Sequence, residues 1–331
     1  MTGGRYLDRI LAPPNETAAP LAAPPSFSVV VRAYQAASTV GAAVASALAQ
    51  VHAADQVIVV DDGSTDALDE ALTPFVERIE IVRQSNRGGA SALNAGAAVA
   101  ASEFVVVLDA DDTYHPRRLQ ALAALAVARP DLDLLTTDAR LVLDGAVVGR
   151  FAAATPFCTE DQRAGILLSC FVGGWPAIRA ERLAAVGGLD ESLRVGHDWD
   201  CWVRLILEGA SAGMIDEPLY DYHLHPSGLT ASRDTALGDR VRLLEKASRN
   251  PSLRPGDRSA LEAALRHHRT RAVQAQTAAP AGGGGGRRRL LAAAATPGIG
   301  VATRARAALA AVAPATLRGR GVVVDERDPR S

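Results

Sequence analysis

Residues 105–116 read VVVLDADDTYHP. Val105, Val106, Val107 and Leu108 run without a break into Asp109, Asp111 and Asp112. A continuous apolar run fits a strand covered on both faces, so a cluster of carboxylates stands where a buried strand ends. The same kind of run recurs outward from it, in FSVVVRAY (27–34), QVIVV (56–60), IEIVRQ (79–84) and LDLLTTD (132–138). Helix-length segments lie between: Ser38 to about Gln50, Gly88 to Ala101, and a third to about Ala128 with Pro116 suited to its first turn. Strands of about five residues alternating with helices of about twelve predict an α/β domain with right-handed crossovers and a mainly parallel sheet.

The chain has 331 residues, 48% hydrophobic and 22% charged, with a formal net charge of −2. That is enough apolar material for a large core, and nothing in the charge points to nucleic acid. Lys246 is the only lysine, and the three cysteines, Cys158, Cys170 and Cys201, form no metal-type pair. They read as small buried hydrophobes in a reducing compartment. Residues 1–25 are a Pro- and Ala-rich leader with no basic segment followed by an apolar one, which predicts a cytoplasmic protein. No stretch reaches the roughly 20 apolar residues needed to cross a bilayer.

In an open parallel sheet, ligands bind beyond the carboxyl ends of the strands. Three predicted strands end there in notable groups: Ala33-Tyr34, Asp61-Asp62 and Asp109-Ala110-Asp111. Carboxylates at i and i+2 of an extended segment lie about 6.6 Å apart on one side. They repel by roughly 2.5 kcal/mol at an effective dielectric near 20. A divalent cation between them and an anionic ligand reverses that cost, and hard oxygen ligands suit Mg2+ or Mn2+. The plainer alternative is a solvated acidic turn capped by Asp112 or Thr113, which would leave Asp61 and Asp62 to be explained separately.

Taken together, SVVVRAY, QVIVVDDGSTD, NRGGASALNAG, LDADDTYHPRRL, GGLDESLRVGHDWDCWVRL and YDYHLHPSGLT make Phe27 to about Ser232 resemble glycosyltransferase family 2, inverting enzymes of the GT-A fold. The resemblance implies a nucleotide-binding sheet merged with a smaller acceptor region. It implies a nucleotide-diphosphate sugar donor, with UDP- or dTDP-sugars the commonest, and a glycan or lipid-linked acceptor. By similarity, Ala33 and Tyr34 line the base pocket, Asp62 accepts from the base, Asp61 shares that turn, and Asn86 and Arg87 approach the nucleotide. Asp109 would contact the ribose and Asp111 the Mn2+ or Mg2+, with His225 closing on phosphate or metal. Asp112 would shape the following turn. Asp198 matches the general base. His197 and Trp199 fall in the acceptor region, where Trp199 is open between packing and sugar stacking and Trp202 reads as core.

Two departures stand out. The family's first strand usually ends Pro-Ala-Tyr-Asn, whereas here it is Arg32-Ala33-Tyr34-Gln35. The family's Glu-Asp before the acceptor helix is His197-Asp198. The phosphate signatures of pyrophosphorylases and dinucleotide dehydrogenases are absent after the first strand, as are the membrane helices and Gln-x-x-Arg-Trp of processive synthases. Single sugar transfers are expected, in cell-surface glycan or glycolipid assembly, with a degenerate non-catalytic binder as the alternative.

The expected organisation is a leader (1–25), a catalytic domain (26–235, with a donor half 26–140 and an acceptor half 141–235), a helical extension (236–277), a Gly/Arg-rich linker (278–289) and a basic amphipathic tail (290–331). The five glycines of the linker have no preceding strand and no P-loop lysine, so they are no phosphate cradle. Two readings are open for the tail: peripheral contact with the cytoplasmic face of a membrane through Arg287–Arg289 and an Ala/Leu face, or a solvated extension.

Overall fold

The computed structural model describes residues 4–14, 24–225 and 233–278. The linker glycines and the basic tail lie outside the described residues. A short helix α1 (Gly4–Leu7) and strand β1 (Ile10–Leu11) precede the alternating unit. That unit runs β2 (Phe27–Ala33), α2 (Val40–Leu48), β3 (Gln56–Asp61), α3 (Leu68–Leu72), β4 (Glu80–Arg83), α4 (Gly89–Val99) and β5 (Phe104–Asp109). Next come β6 (Thr113–Tyr114), α5 (Arg118–Ala128), β7 (Leu134–Leu143), β8 (Ala146–Arg150), α6 (Phe151–Ala154), α7 (Gln162–Leu168), β9 (Ala177–Arg179) and α8 (Ala180–Ala185). The chain continues through α9 (His197–Leu207), β10 (Ala212–His223), α10 (Arg233–Ala247) and α11 (Pro255–Ala278).

One ten-stranded sheet underlies all of it, in the order β1-β10-β7-β9-β5-β2-β3-β4, with β6 on β10 and β8 on β7. β5, β2, β3 and β4 are parallel, as the apolar runs predict. β9 pairs antiparallel with both β5 and β7. This three-residue strand joins β5 to β7, and the division expected at residues 140/141 falls inside β7.

The strand valines alternate between two cores, following the period-2 geometry of a strand. Val29, Val31, Val57, Val59, Val106 and Leu108 pack with α2 and α5 on one face. Val30, Ile58, Val60, Val105 and Val107 pack on the other face with α4, α9, α10 and α11. Trp202 and Leu205 of α9 are buried in this second core, as their helical spacing from Asp198 predicts. On that face α4 comes very close to the sheet: a Cβ on Gly96 would stand 2.4 Å from Val30 Cγ1.

The helical extension is part of the domain. Leu243, Leu244 and Ala247 of α10 and Leu261 and Ala264 of α11 are buried in the α9 core. Arg163 of α7 forks onto Asp257 of α11 at 2.6 Å.

Candidate active site

The ends of β3 and β5 are locked onto the end of β2 by their backbones. Asp62 N donates to Ala33 O at 2.9 Å, and Ala110 N to Arg32 O at 3.1 Å. Beyond them, residues 61–66 form a tight loop. Asp61 Oδ1 accepts from Ser64 N at 2.8 Å. Gly63 has φ +77°, and a Cβ there would meet Asn86 N at 2.7 Å, so both the backbone conformation and the space require glycine. Gln35, itself at φ 50°, ties the loop down: its Oε1 accepts from Thr65 N at 2.7 Å and Asp66 N at 3.2 Å. Ala33 is buried and the Tyr34 ring is half exposed, so of this expected pair only Tyr34 offers a side chain to a ligand.

Asp62 is turned inward. It is 3% exposed, and its carboxylate is occupied from inside the protein. Oδ1 accepts from Gln84 Nε2 at 2.7 Å and Arg87 N at 2.8 Å, and Oδ2 from Gly88 N at 2.7 Å. These bonds pin the 84–88 segment that starts α4. Arg87 is likewise turned away from β3: its guanidinium donates to Glu191 Oε2 at 2.6 Å, linking the α4 loop to the loop before α9.

The three aspartates after β5 part company. Asp109, opposite Arg32 on β2, accepts at Oδ1 from Arg32 Nε at 2.7 Å and pairs with the terminal guanidinium nitrogen Nη2 at 2.5 Å. Asp111 is half exposed and lies 3.3 Å from His225 Nε2. Partial burial and the negative charge of Asp109 raise the Asp111 carboxyl above the usual range. Asp112 faces inward, 1% exposed. Its Oδ2 accepts from Tyr220 Oη and its Oδ1 from His223 N, both at 2.7 Å, which fastens the turn to β10. Burial raises its carboxyl to about 7, and hydrogen bonding to Asp112 raises His223. The buried Arg118 guanidinium lies over the Tyr114 and Tyr220 rings at 4.9 and 5.1 Å.

On the acceptor side, Gly196 at φ +77° turns the chain into α9. Asp198 stands in the first turn, where its Oδ1 accepts from Trp199 N at 2.8 Å and so satisfies one of the helix's open N–H groups. Its Oδ2 lies beside Gly174, where a Cβ would approach to 3.1 Å. Trp199 is settled as packing: it is 5% exposed, donates from Nε1 to Ile166 O at 2.6 Å and meets His268 of α11 edge-on at 5.7 Å. The preceding loop is buttressed by α10. Asp239, fully buried, accepts from Val195 N at 3.1 Å, and Lys246 bridges Asp190 at 2.6 Å and Asp200 at 3.0 Å.

Arg32 joins the two sides. Besides Asp109, its Nη1 lies 3.3 Å from His197 Nε2. Its side chain is 11% exposed. Burial would lower its pKa, but the charges of Asp109 and Asp198 more than offset this and raise it. Burial lowers His197. The site thus brings Asp109, Asp198, His197 and Arg32 together, sets Asp111 and His225 beside them through Asp109, and leaves Asp62 and Trp199 to support it from within. The sequence marks Arg32 as a departure that can still approach the nucleotide, and gives no sign of Asp239. The first could have been found from register, since Arg32 stands opposite Asp109. The second carries no local signal.

The family model "Glycosyl transferase family 2" matches residues 28–178. The succinoglycan biosynthesis protein ExoU of Rhizobium meliloti (strain 1021) is 33% identical over 273 residues, covering 75% of each chain. Among solved structures, S. aureus TarS 1-349 in complex with UDP superposes with a TM-score of 0.63 at 19% identity, covering 81% of this chain and 78% of that one. The mannosyltransferase PcManGT from Pyrobaculum calidifontis, in complex with GDP-Man and Mn2+, gives 0.57 at 21% identity over 95% and 93%. At these identities the two structures bear on the fold, which is that of the GT-A glycosyltransferases.

Proposed function

This chain belongs to glycosyl transferase family 2 and is a glycosyltransferase, and we propose that it transfers one sugar at a time from a nucleoside-diphosphate donor to a hydroxyl of a glycan or lipid-linked acceptor, with inversion at the anomeric carbon. The observation that carries this reading is that one guanidinium, Arg32, is hydrogen-bonded to Asp109 at the end of β5 and lies within the electrostatic reach of Asp198 at the start of α9. The ligands named for the neighbouring structures, UDP and GDP-Man, support a nucleotide-sugar donor of this class. The name of the Rhizobium relative supports a place in polysaccharide assembly.

In the proposed step the acceptor oxygen bonds to the anomeric carbon as the carbon–oxygen bond to the diphosphate breaks. The proton goes to Asp198, and the electron pair leaves with the diphosphate. Asp198 Oδ1 is held by Trp199 N, so Oδ2 is the oxygen that accepts the proton. Tyr34, half exposed just beyond β2, would meet the base.

A divalent cation fits the residues present. Asp111 is half exposed, is raised by the charge of Asp109, and has His225 Nε2 at 3.3 Å, so a cation there relieves repulsion. Among the described residues no three His, Cys, Asp or Glu side chains converge into a cage. Asp111 and His225 would hold the ion, with phosphate and water completing its shell, the usual arrangement for Mg2+ or Mn2+. Such an ion, when bound, would offset charge developing on the leaving diphosphate.

Among the described residues no helix is long and apolar enough to cross a membrane. Peripheral contact through residues 286–320 is a separate proposal, checked by liposome co-sedimentation of the chain with and without them.

A nucleotide-sugar panel screened by thermal shift with Mn2+ identifies the donor. With that donor, Asp198→Asn is expected to keep binding and to lose transfer by about 10²–10⁴-fold, while Asp111→Ala loses metal-dependent donor binding. Equal donor affinity with and without metal, or turnover surviving in Asp198→Asn, would refute the reading.

A further inference from the structure

We propose that Arg32 is a positioning residue of the transfer site: one guanidinium orients and partly neutralises Asp109 on the donor half and, through His197, holds the start of the acceptor helix. The inference rests on the function proposed above.

The contact with Asp109 is built into the sheet. Arg32 and Asp109 are register partners on the parallel strands β2 and β5. Each lies two residues beyond a valine of the second core, Val30 and Val107, so both side chains point to the face that carries α4 and α9. Nε and Nη2 both reach Oδ1, at 2.7 and 2.5 Å, and leave Oδ2 without a partner among the described residues. One oxygen is therefore fixed by the arginine and the other is kept for a ligand.

The contact with the acceptor half bears on a protonation state. A guanidinium has no lone pair to offer. If Nη1 donates across the 3.3 Å to His197 Nε2, that nitrogen is unprotonated and the imidazole is neutral, the form that its burial favours. The charges around the guanidinium are then Asp109 and Asp198 against one arginine, in a place where its side chain is 11% exposed and weakly screened. A carboxylate at position 197 would make three anions for one cation and draw the guanidinium away from Asp109. Arginine at 32 and a neutral side chain at 197 are thus two parts of one device, standing where the family pattern has proline and glutamate.

If Arg32 offsets the charge of Asp109, removing it should make the neighbouring cation site more attractive, whereas damage to a merely structural contact would weaken it. The full-length protein is titrated with Mn2+ alone, without donor, and free Mn2+ is followed by electron paramagnetic resonance. Arg32→Gln is expected to bind Mn2+ roughly three- to tenfold more tightly than wild type. Arg32→Lys keeps the charge and stays within about twofold. His197→Glu, made across the cleft and with Arg32 intact, also tightens binding, while His197→Gln does not. Because Arg32 is buried, unfolding curves accompany each variant, and the His197 pair carries the test should Arg32→Gln fail to fold. Wild-type Mn2+ affinity in both Arg32→Gln and His197→Glu would overturn the proposal. Asp111→Ala separates it from the functional reading. Loss of Mn2+ binding there with no effect at 32 or 197 sinks Arg32 alone. Tightening at 32 and 197 with binding retained in Asp111→Ala sinks the assigned metal site alone.

Discussion

Replacing Asp62 by alanine is the most informative single change, because the resemblance gives that carboxylate to a base and the fold surrounds it with the protein's own donors. In the structure it accepts three hydrogen bonds, from Gln84 Nε2, Arg87 N and Gly88 N at 2.7, 2.8 and 2.7 Å, and is 3% exposed. Alanine removes both acceptor oxygens and with them all three bonds, and it strands two backbone N–H groups, each worth about 1–3 kcal/mol when left unsatisfied. Some relief comes from water as the 84–88 loop loosens, so a loss of about 3 kcal/mol is expected. For a domain of this size that lowers Tm by roughly 6–12 °C. Asparagine keeps one acceptor oxygen but turns an N–H donor toward a neighbouring donor, so Asp62→Asn should fall between wild type and alanine. The assay is urea unfolding followed by tryptophan fluorescence, with UDP binding measured alongside. A stability loss under about 1 kcal/mol in Asp62→Ala, with nucleotide affinity lost, would refute the clamp and return Asp62 to the ligand.

His268, buried on α11 against Trp199, is lowered to about 4 from an ordinary value of 6.5 by burial and by its positive neighbours. The folded state resists protonation there, so its contribution is complete above about pH 6.5 and is lost as pH falls toward 4. About 1.36 kcal/mol per unit makes that about 2 kcal/mol between pH 7 and pH 5. Urea unfolding at both pH values should show this difference in wild type and not in His268→Phe; equal pH dependence in the two would refute it. Gly96→Ala should destabilise by about 1–2 kcal/mol: the gain in helix propensity is about 1 kcal/mol, but a Cβ 2.4 Å from Val30 Cγ1 forces α4 off the sheet. A more stable Gly96→Ala variant, measured the same way, would mean that α4 can move without penalty.

Most of the donor half was legible because its strands are apolar on both faces. β2 through β5 lie within a residue or two of the runs that announce them. The acceptor half was not. β9 is only three residues long, and β10 carries Asp216, Glu217 and Pro218, with its pairing to β7 shifting register around the proline. The site divided along a similar line. Clustered aspartates at strand ends are visible in a sequence, but which of them turns inward is not. Asp61 and Asp62, or Asp111 and Asp112, differ only by backbone direction in a turn, and strands buried on both faces offer no polar alternation from which to extrapolate. Long-range supports such as Asp239 under Val195 are set by helix packing across more than forty residues, beyond the reach of any local pattern.

The three residues of β9 have a mechanical consequence. They stitch β5 to β7 by backbone hydrogen bonds, so the two halves of the sheet share one plate with no free seam between them. A clamshell motion that closed the halves over a bound sugar would have to tear that ladder. Gating and product escape therefore fall to the loops on the rim, and structures with and without a bound nucleotide should superpose across the whole plate while differing at its edges.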